Sequence, residues 1–182
     1  RDGPGGPERW KAPERQAAPA VEFENVSFAY AVEAPVLHDL TFRLEGGKKL
    51  GLLGRTGSGK STIVRLLFRF YDPEGGLIHL DGVDLRQAQL GELRRMIGLV
   101  PQEVQLFHAT ARDNLTLFDE RIPDERAIAV LDELELGTWL RSLPEGLDTL
   151  LSGDAGLSAG EAQLLGLARV FLQDPRLVIL DE

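Results

Sequence analysis

Apolar and polar residues along the chain sort into runs of two different periods. Val21, Phe23, Val26, Phe28 and Tyr30 alternate with polar neighbours and predict extended structure, with Glu24-Asn25 as a bulge or turn between the two runs. Residues 36–44 alternate again, and Gly46-Gly47 marks the turn that follows. A short apolar strand is predicted over 49–53, running straight into a glycine-rich loop. Residues 61–71 carry Ile63, Leu66, Leu67 and Phe70 at helical spacing before Pro73-Glu74-Gly75-Gly76 breaks the pattern. Residues 77–85 read as a tight hairpin, because Asp81-Gly82 supplies the positive φ that a two-residue turn needs.

Residues 97–100 form another short apolar strand, stopped by Pro101. A mostly helical block follows. Pro123-Asp124 starts a helix with Ile128, Leu131 and Leu134 on its apolar face, and Pro144-Glu145-Gly146 ends the run. A second helix is predicted over 160–173, with Leu164, Leu167, Ala168 and Phe171 facing inward. Four consecutive apolar residues, Leu177-Val178-Ile179-Leu180, then predict a strand covered on both faces of a parallel sheet. Residues 1–20 lack periodicity and hold four of the ten prolines, which is the composition of a linker.

Composition narrows the class. The 182 residues are 43% hydrophobic and 27% charged, as expected of a globular domain with a real core. No run approaches the ~20 apolar residues of a membrane helix, and residues 1–20 have no signal-peptide core. The absence of cysteine excludes disulfides, thiolate metal sites and cysteine nucleophiles, and is consistent with a reducing compartment. A net charge of −9 argues against nucleic acid as a partner. The start at Arg1 and the end inside an apolar run suggest an excerpt of a longer protein.

Gly54-Arg55-Thr56-Gly57-Ser58-Gly59-Lys60-Ser61-Thr62 fits the phosphate-loop pattern G-x-x-x-x-G-K-[ST], between a predicted strand and a predicted helix. The glycines let successive backbone N–H groups turn toward phosphate oxygens, and the helix starting near Ser61 adds the positive end of its dipole. Lys60 is positioned to reach the β- and γ-phosphates, and the Ser61 hydroxyl to ligate Mg²⁺. Asp181, at the carboxyl end of the last strand, suits the hydration shell of Mg²⁺, and Glu182 suits a general base on the attacking water. Ser158 and Glu161 have the spacing of a helix capping box.

The order of phosphate loop, Pro101-Gln102-Glu103, Leu157-Ser158-Ala159-Gly160-Glu161 and Leu177-Val178-Ile179-Leu180-Asp181-Glu182 resembles the ATP-binding cassette (ABC) family over nearly all of 21–182. Residues 21–30 and 143–149 are similar to exporters in which membrane domain and cassette share one chain. The resemblance implies an α/β fold with three parts. These are a P-loop NTPase (RecA-like) parallel core, an N-terminal antiparallel β subdomain, and an α-helical insertion over about 103–168.

It also implies ATP and Mg²⁺ as cofactors, with Tyr30 stacking on adenine and Gln102 contacting both Mg²⁺ and the attacking water. Ser158 and Gly160, with Ala159 and Glu161 beside them, would meet the γ-phosphate held by a second cassette, identical or different. Two ATP would then lie between the cassettes, and closure would drive a transmembrane domain, of the same or a partner chain, from the cytoplasmic face of the cell membrane. The alternatives are an ABC ATPase of DNA maintenance and a non-hydrolysing nucleotide-binding regulatory module.

Several positions depart from the family pattern. Ala159 and Glu161 stand where Gly and Gln are usual, and are expected to weaken the closed dimer. Ser152-Gly153-Asp154 replaces a glutamate-containing loop. His38, His79 and His108 all precede Asp181, so none is the family's switch histidine; each is expected to be solvated. Without that histidine and the Asp loop, these 182 residues are expected to bind ATP weakly and not to hydrolyse it at a useful rate.

Overall fold

The structure is a computed structural model and describes residues 18–31, 34–151 and 156–181. The chain divides into two compact units, Arg1–Ile97 and Gly98–Glu182.

The first unit is built on an antiparallel sheet of order β2-β1-β3-β4. β1 is Val21–Ala29, β2 Pro35–Leu44, β3 Gly75–Leu80 and β4 Val83–Asp84. The alternation of β1 puts Val21, Phe23, Val26 and Phe28 into the core, all at most 4% exposed. The register slips between Phe23 and Val26, as the Glu24-Asn25 pattern predicts, with Asn25 at φ 48°. The β3–β4 hairpin closes through Asp81 at φ 52° and Gly82 at φ 76°, the signs a two-residue primed turn requires.

Helix α1, Lys60–Leu67, buries Thr62, Ile63, Leu66 and Leu67. It ends before the expected Tyr71. Arg69 turns left-handed at φ 51° and the Phe70 N–H donates back to the Arg65 carbonyl, which leaves Phe70 57% exposed. Helix α2, Leu90–Met96, buries Leu93 and Met96 and leads into β5, Ile97–Val100.

The expected strand over 49–53 is not formed. Its backbone joins no sheet among the described residues, and Leu53 is 98% exposed. An apolar run becomes a strand only where neighbouring strands take its N–H and C=O groups, and no such ladder reaches it here.

In the second unit α3 (Ala111–Thr116), α4 (Asp124–Glu133), α5 (Gly137–Ser142) and α6 (Ala159–Gln173) pack around Leu115, Leu131, Leu136, Trp139, Leu151 and Leu165. Arg112 ties this block together by ion pairs to Asp124, at 2.7 Å, and to Asp148. Two helix faces differ from the expected ones. In α4 Ala127, Val130 and Leu131 are buried while Ile128 is 40% exposed. In α6 Leu165, Ala168 and Leu172 point inward while Phe171 is 44% exposed. Gly166 lies so close to Val104 that a Cβ there would sit 2.6 Å from Val104 Cγ2, which fixes the rotation of the helix.

β6, Leu177–Leu180, pairs in parallel with β5. It is not covered on both faces: Val178 is 46% and Leu180 62% exposed, so the face that these alternate residues share is left open among the described residues. No helix among the described residues is long and apolar enough to cross a membrane.

Candidate functional site

The 54–59 segment forms an open loop capped onto α1. Gly57 and Gly59 adopt φ 84° and 90°, and at Gly59 any side chain would also meet Leu37 Cδ2 at 2.8 Å. Gly59 is the N-cap of α1 and supplies no side-chain cap, so the first-turn N–H groups of the helix stay available to an anion. The Lys60 side chain folds back over the loop. Its Nζ donates to the Gly54 carbonyl at 2.6 Å, the Arg55 carbonyl at 3.1 Å and Ser58 Oγ at 3.4 Å. Among the described residues the ammonium is thus held inside the loop by neutral acceptors, an arrangement that suits the binding of a phosphate group. Ser61 is exposed on the first turn of the helix, whereas Thr62 is 4% exposed.

Tyr30 follows β1 and is tied to the same helix. Its hydroxyl pairs with Thr62 Oγ1 at 3.1 Å and accepts from Arg65 Nη1 at 2.9 Å. Phe28 and Tyr71 meet its ring edge-on at 4.9 and 5.3 Å. Desolvation pushes the Tyr30 phenol up, but the Thr62 and Arg65 hydrogen bonds with the Arg65 charge outweigh it and hold the phenol below its ordinary value. Tyr30, 43% exposed, therefore combines a fixed hydroxyl with an accessible ring.

In the second unit the Asp181 N–H donates to the Val100 carbonyl at 3.0 Å, so Gln102 and Asp181 follow the carboxyl ends of two paired strands. Gln102 is exposed. Glu182 lies outside the described residues, as does Ser152-Gly153-Asp154. Ser158, Ala159 and Gly160 are exposed at the start of α6, where the capping box is complete. The Glu161 carboxylate accepts from the Ser158 N–H at 2.8 Å and hydroxyl at 2.6 Å, and the Ser158 oxygen accepts from the Glu161 N–H at 3.3 Å. The Ser158 side-chain hydrogen bond, then its backbone one, hold the Glu161 carboxyl below its usual value.

The sequence reading missed two positioning residues, Asn114 and Arg169. Asn114 is fully buried and bonds to both backbone groups of Phe107, with Nδ2 also reaching the Ala109 and Thr110 carbonyls. Arg169 donates to the Asn114 and Gln105 carbonyls at 2.8 and 2.9 Å. Together they fix the segment that follows Gln102. The available signal was an Asn placed one turn after a Thr110 cap.

The histidines divide. His38 and His108 are exposed, as expected, but the His79 side chain is only 18% exposed, because cross-strand neighbours on the sheet cover it.

The family model for the ABC transporter matches residues 37–182. This chain belongs to the ABC transporter family. Among curated ABC proteins it is similar to the mitochondrial iron-sulfur clusters transporter ATM1 of Kluyveromyces lactis, 42% identical over 89% of this chain and 23% of that one. It is also similar to the ATP-dependent lipid A-core flippase of Alcanivorax borkumensis, 41% identical over 89% of this chain and 28% of that one. A solved structure of a bacterial Atm1-family ABC exporter with ATP bound superposes with a TM-score of 0.82 at 34% identity, covering 93% of this chain and 31% of that chain. The chain thus spans about a quarter of the length of these curated relatives. The ABC cassette fold expected from the sequence, with an antiparallel sheet, a parallel strand pair and helices, stands confirmed.

Proposed function

We propose that this chain is the nucleotide-binding cassette of an exporter-type ABC transporter, binding and hydrolysing ATP to drive transport across a membrane. The observation that carries the reading is the Lys60 ammonium, held inside a glycine loop by neutral oxygens at the bare start of α1. Phosphate oxygens of ATP compete with the Gly54 and Arg55 carbonyls for those same ammonium protons, and a full negative charge wins that competition. Residues 54–62 take the phosphates, Tyr30 the adenine, and Ser61, Gln102 and Asp181 the Mg²⁺, which neutralises phosphate charge when bound. Glu182 accepts the proton of the attacking water.

Ser158, Ala159, Gly160 and Glu161 meet the nucleotide of a second cassette, identical or not, and a transmembrane domain takes up the motion at the cytoplasmic face. Relatives named as transporters and the net charge of −9 support this reading over ATP-driven DNA maintenance. The test is Glu182→Gln in a membrane-reconstituted protein carrying this cassette. ATP binding should persist while hydrolysis falls by about 10²-fold or more. Turnover at the parent rate would remove Glu182 from the catalytic role.

A further inference from the structure

The outer face of the first unit's sheet holds a side-chain group that phosphate binding leaves unused. Glu22 and Glu24 lie two residues apart on β1, so they share the face opposite the buried Val21 and Phe23. His79 on β3 stands directly across from Glu22 in the register. One donor atom from each of Glu22, Glu24 and His79 lies within 4.8 Å of the others. His79 Nδ1 is buried without a hydrogen-bond partner among the described residues, 3.8 Å from Glu24 Oε1. At that distance the carboxylate is beyond hydrogen-bond reach, so the described side chains leave the buried nitrogen unsatisfied.

Two neighbouring charges border the group. Asp84, across from His79 on β4, is held by Arg86 at 2.5–3.1 Å. Arg43, across from Glu22 on β2, bonds to Glu45 at 2.6 Å and forms a longer ion pair with Glu22 Oε1 at 3.6 Å, a contact that an ion bound by Glu22 would displace. Glu24, 46% exposed, opens the group to solvent and gives an ion a way in.

We propose that Glu22, Glu24 and His79 form a binding site for one borderline divalent transition-metal ion, of which Zn²⁺ is the representative. One imidazole with two carboxylates is a donor set of mixed nitrogen and oxygen, which suits Zn²⁺, Co²⁺ or Ni²⁺, whereas Mg²⁺ and Ca²⁺ favour oxygen alone. Tetrahedral ligands on ~2.0 Å bonds stand roughly 3.3 Å apart, so the two glutamates close the remaining gap by rotamer shifts on a fixed sheet. Three protein ligands leave a fourth position to water.

The test is calorimetric titration of ZnCl₂ into the 182-residue chain without nucleotide or phosphate, with Co²⁺ visible absorption as a second readout. One saturable site is expected. His79→Gln and Glu24→Gln should each weaken it at least about tenfold and reduce the Co²⁺ band, whereas joint His38→Gln and His108→Gln should change neither. If His79→Gln fails to fold by circular dichroism, the half-exposed Glu24→Gln decides. No saturable binding, or binding that a folded His79→Gln or Glu24→Gln variant leaves unchanged, would overturn the proposal.

Discussion

Replacing Ser158 by Ala should destabilise the second unit by a calculable amount while leaving its core untouched. The Ser158 oxygen accepts from the Glu161 N–H, and the hydroxyl gives its proton to the Glu161 carboxylate at 2.6 Å. Alanine removes both bonds and leaves the Glu161 N–H with water alone. Loss of a serine N-cap costs about 1 kcal/mol, within a range of roughly 0.5–2. A urea m-value of about 1–3 kcal/mol/M converts 1 kcal/mol into a midpoint lowered by about 0.3–1 M. Trp139, 7% exposed in the core of that unit, reports its unfolding by fluorescence once Trp10→Phe removes the other tryptophan. Ser158→Asp, which retains a cap acceptor, should recover most of the loss. An unchanged midpoint in Ser158→Ala, or equal losses for Ala and Asp, would refute the capping argument.

Asn114→Ala should cost about 1–3 kcal/mol, because it removes a fully buried side chain and with it the acceptor of the Phe107 N–H; the same Trp139 titration measures it. The Asp84 carboxyl is held below its usual value, first by the Arg86 side-chain bonds, against desolvation, then by the Arg86 N–H and by the Arg86 and His79 charges. A depressed folded value adds stability that is complete above the unfolded carboxylate range near pH 4 and lost as pH falls through the folded value. Asp84→Asn should therefore flatten the acid limb of a stability-against-pH curve for the first unit, followed by circular dichroism, and a limb of unchanged steepness would contradict the assignment.

What could be read in the sequence was whatever depends on neighbours a few residues apart. The Asp81-Gly82 turn, the Asn25 bulge and the Ser158–Glu161 cap are set by local backbone geometry, and each stands where the residues indicate. The phosphate loop was legible for the same reason, since Gly59 and Lys60 act through their immediate backbone. Errors arose where distant packing decides. In α6 the expected Ala168 and Leu164 do face the core, but Phe171 does not, because the close approach of Gly166 to Val104 turns Leu165 and Leu172 inward. The run over 49–53 looks like a strand, but ladder partners lie far along the chain. His79 looks like a surface residue until β1 and β4 are set beside it. Helices of six or seven residues, such as α3 and α5, span under two turns and give periodicity little to show.

The central claim, that residues 54–62 bind the phosphates of ATP through Lys60, is tested most directly by nucleotide affinity. Titrating a fluorescent ATP analogue with Mg²⁺ into the 182-residue chain and into Lys60→Ala compares the two without any need for turnover. A charge-assisted contact to phosphate contributes about 1.5–3 kcal/mol, so the variant should bind roughly 10- to 100-fold more weakly while keeping the same circular dichroism. Equal affinity in the two proteins would contradict the phosphate site and the function built on it.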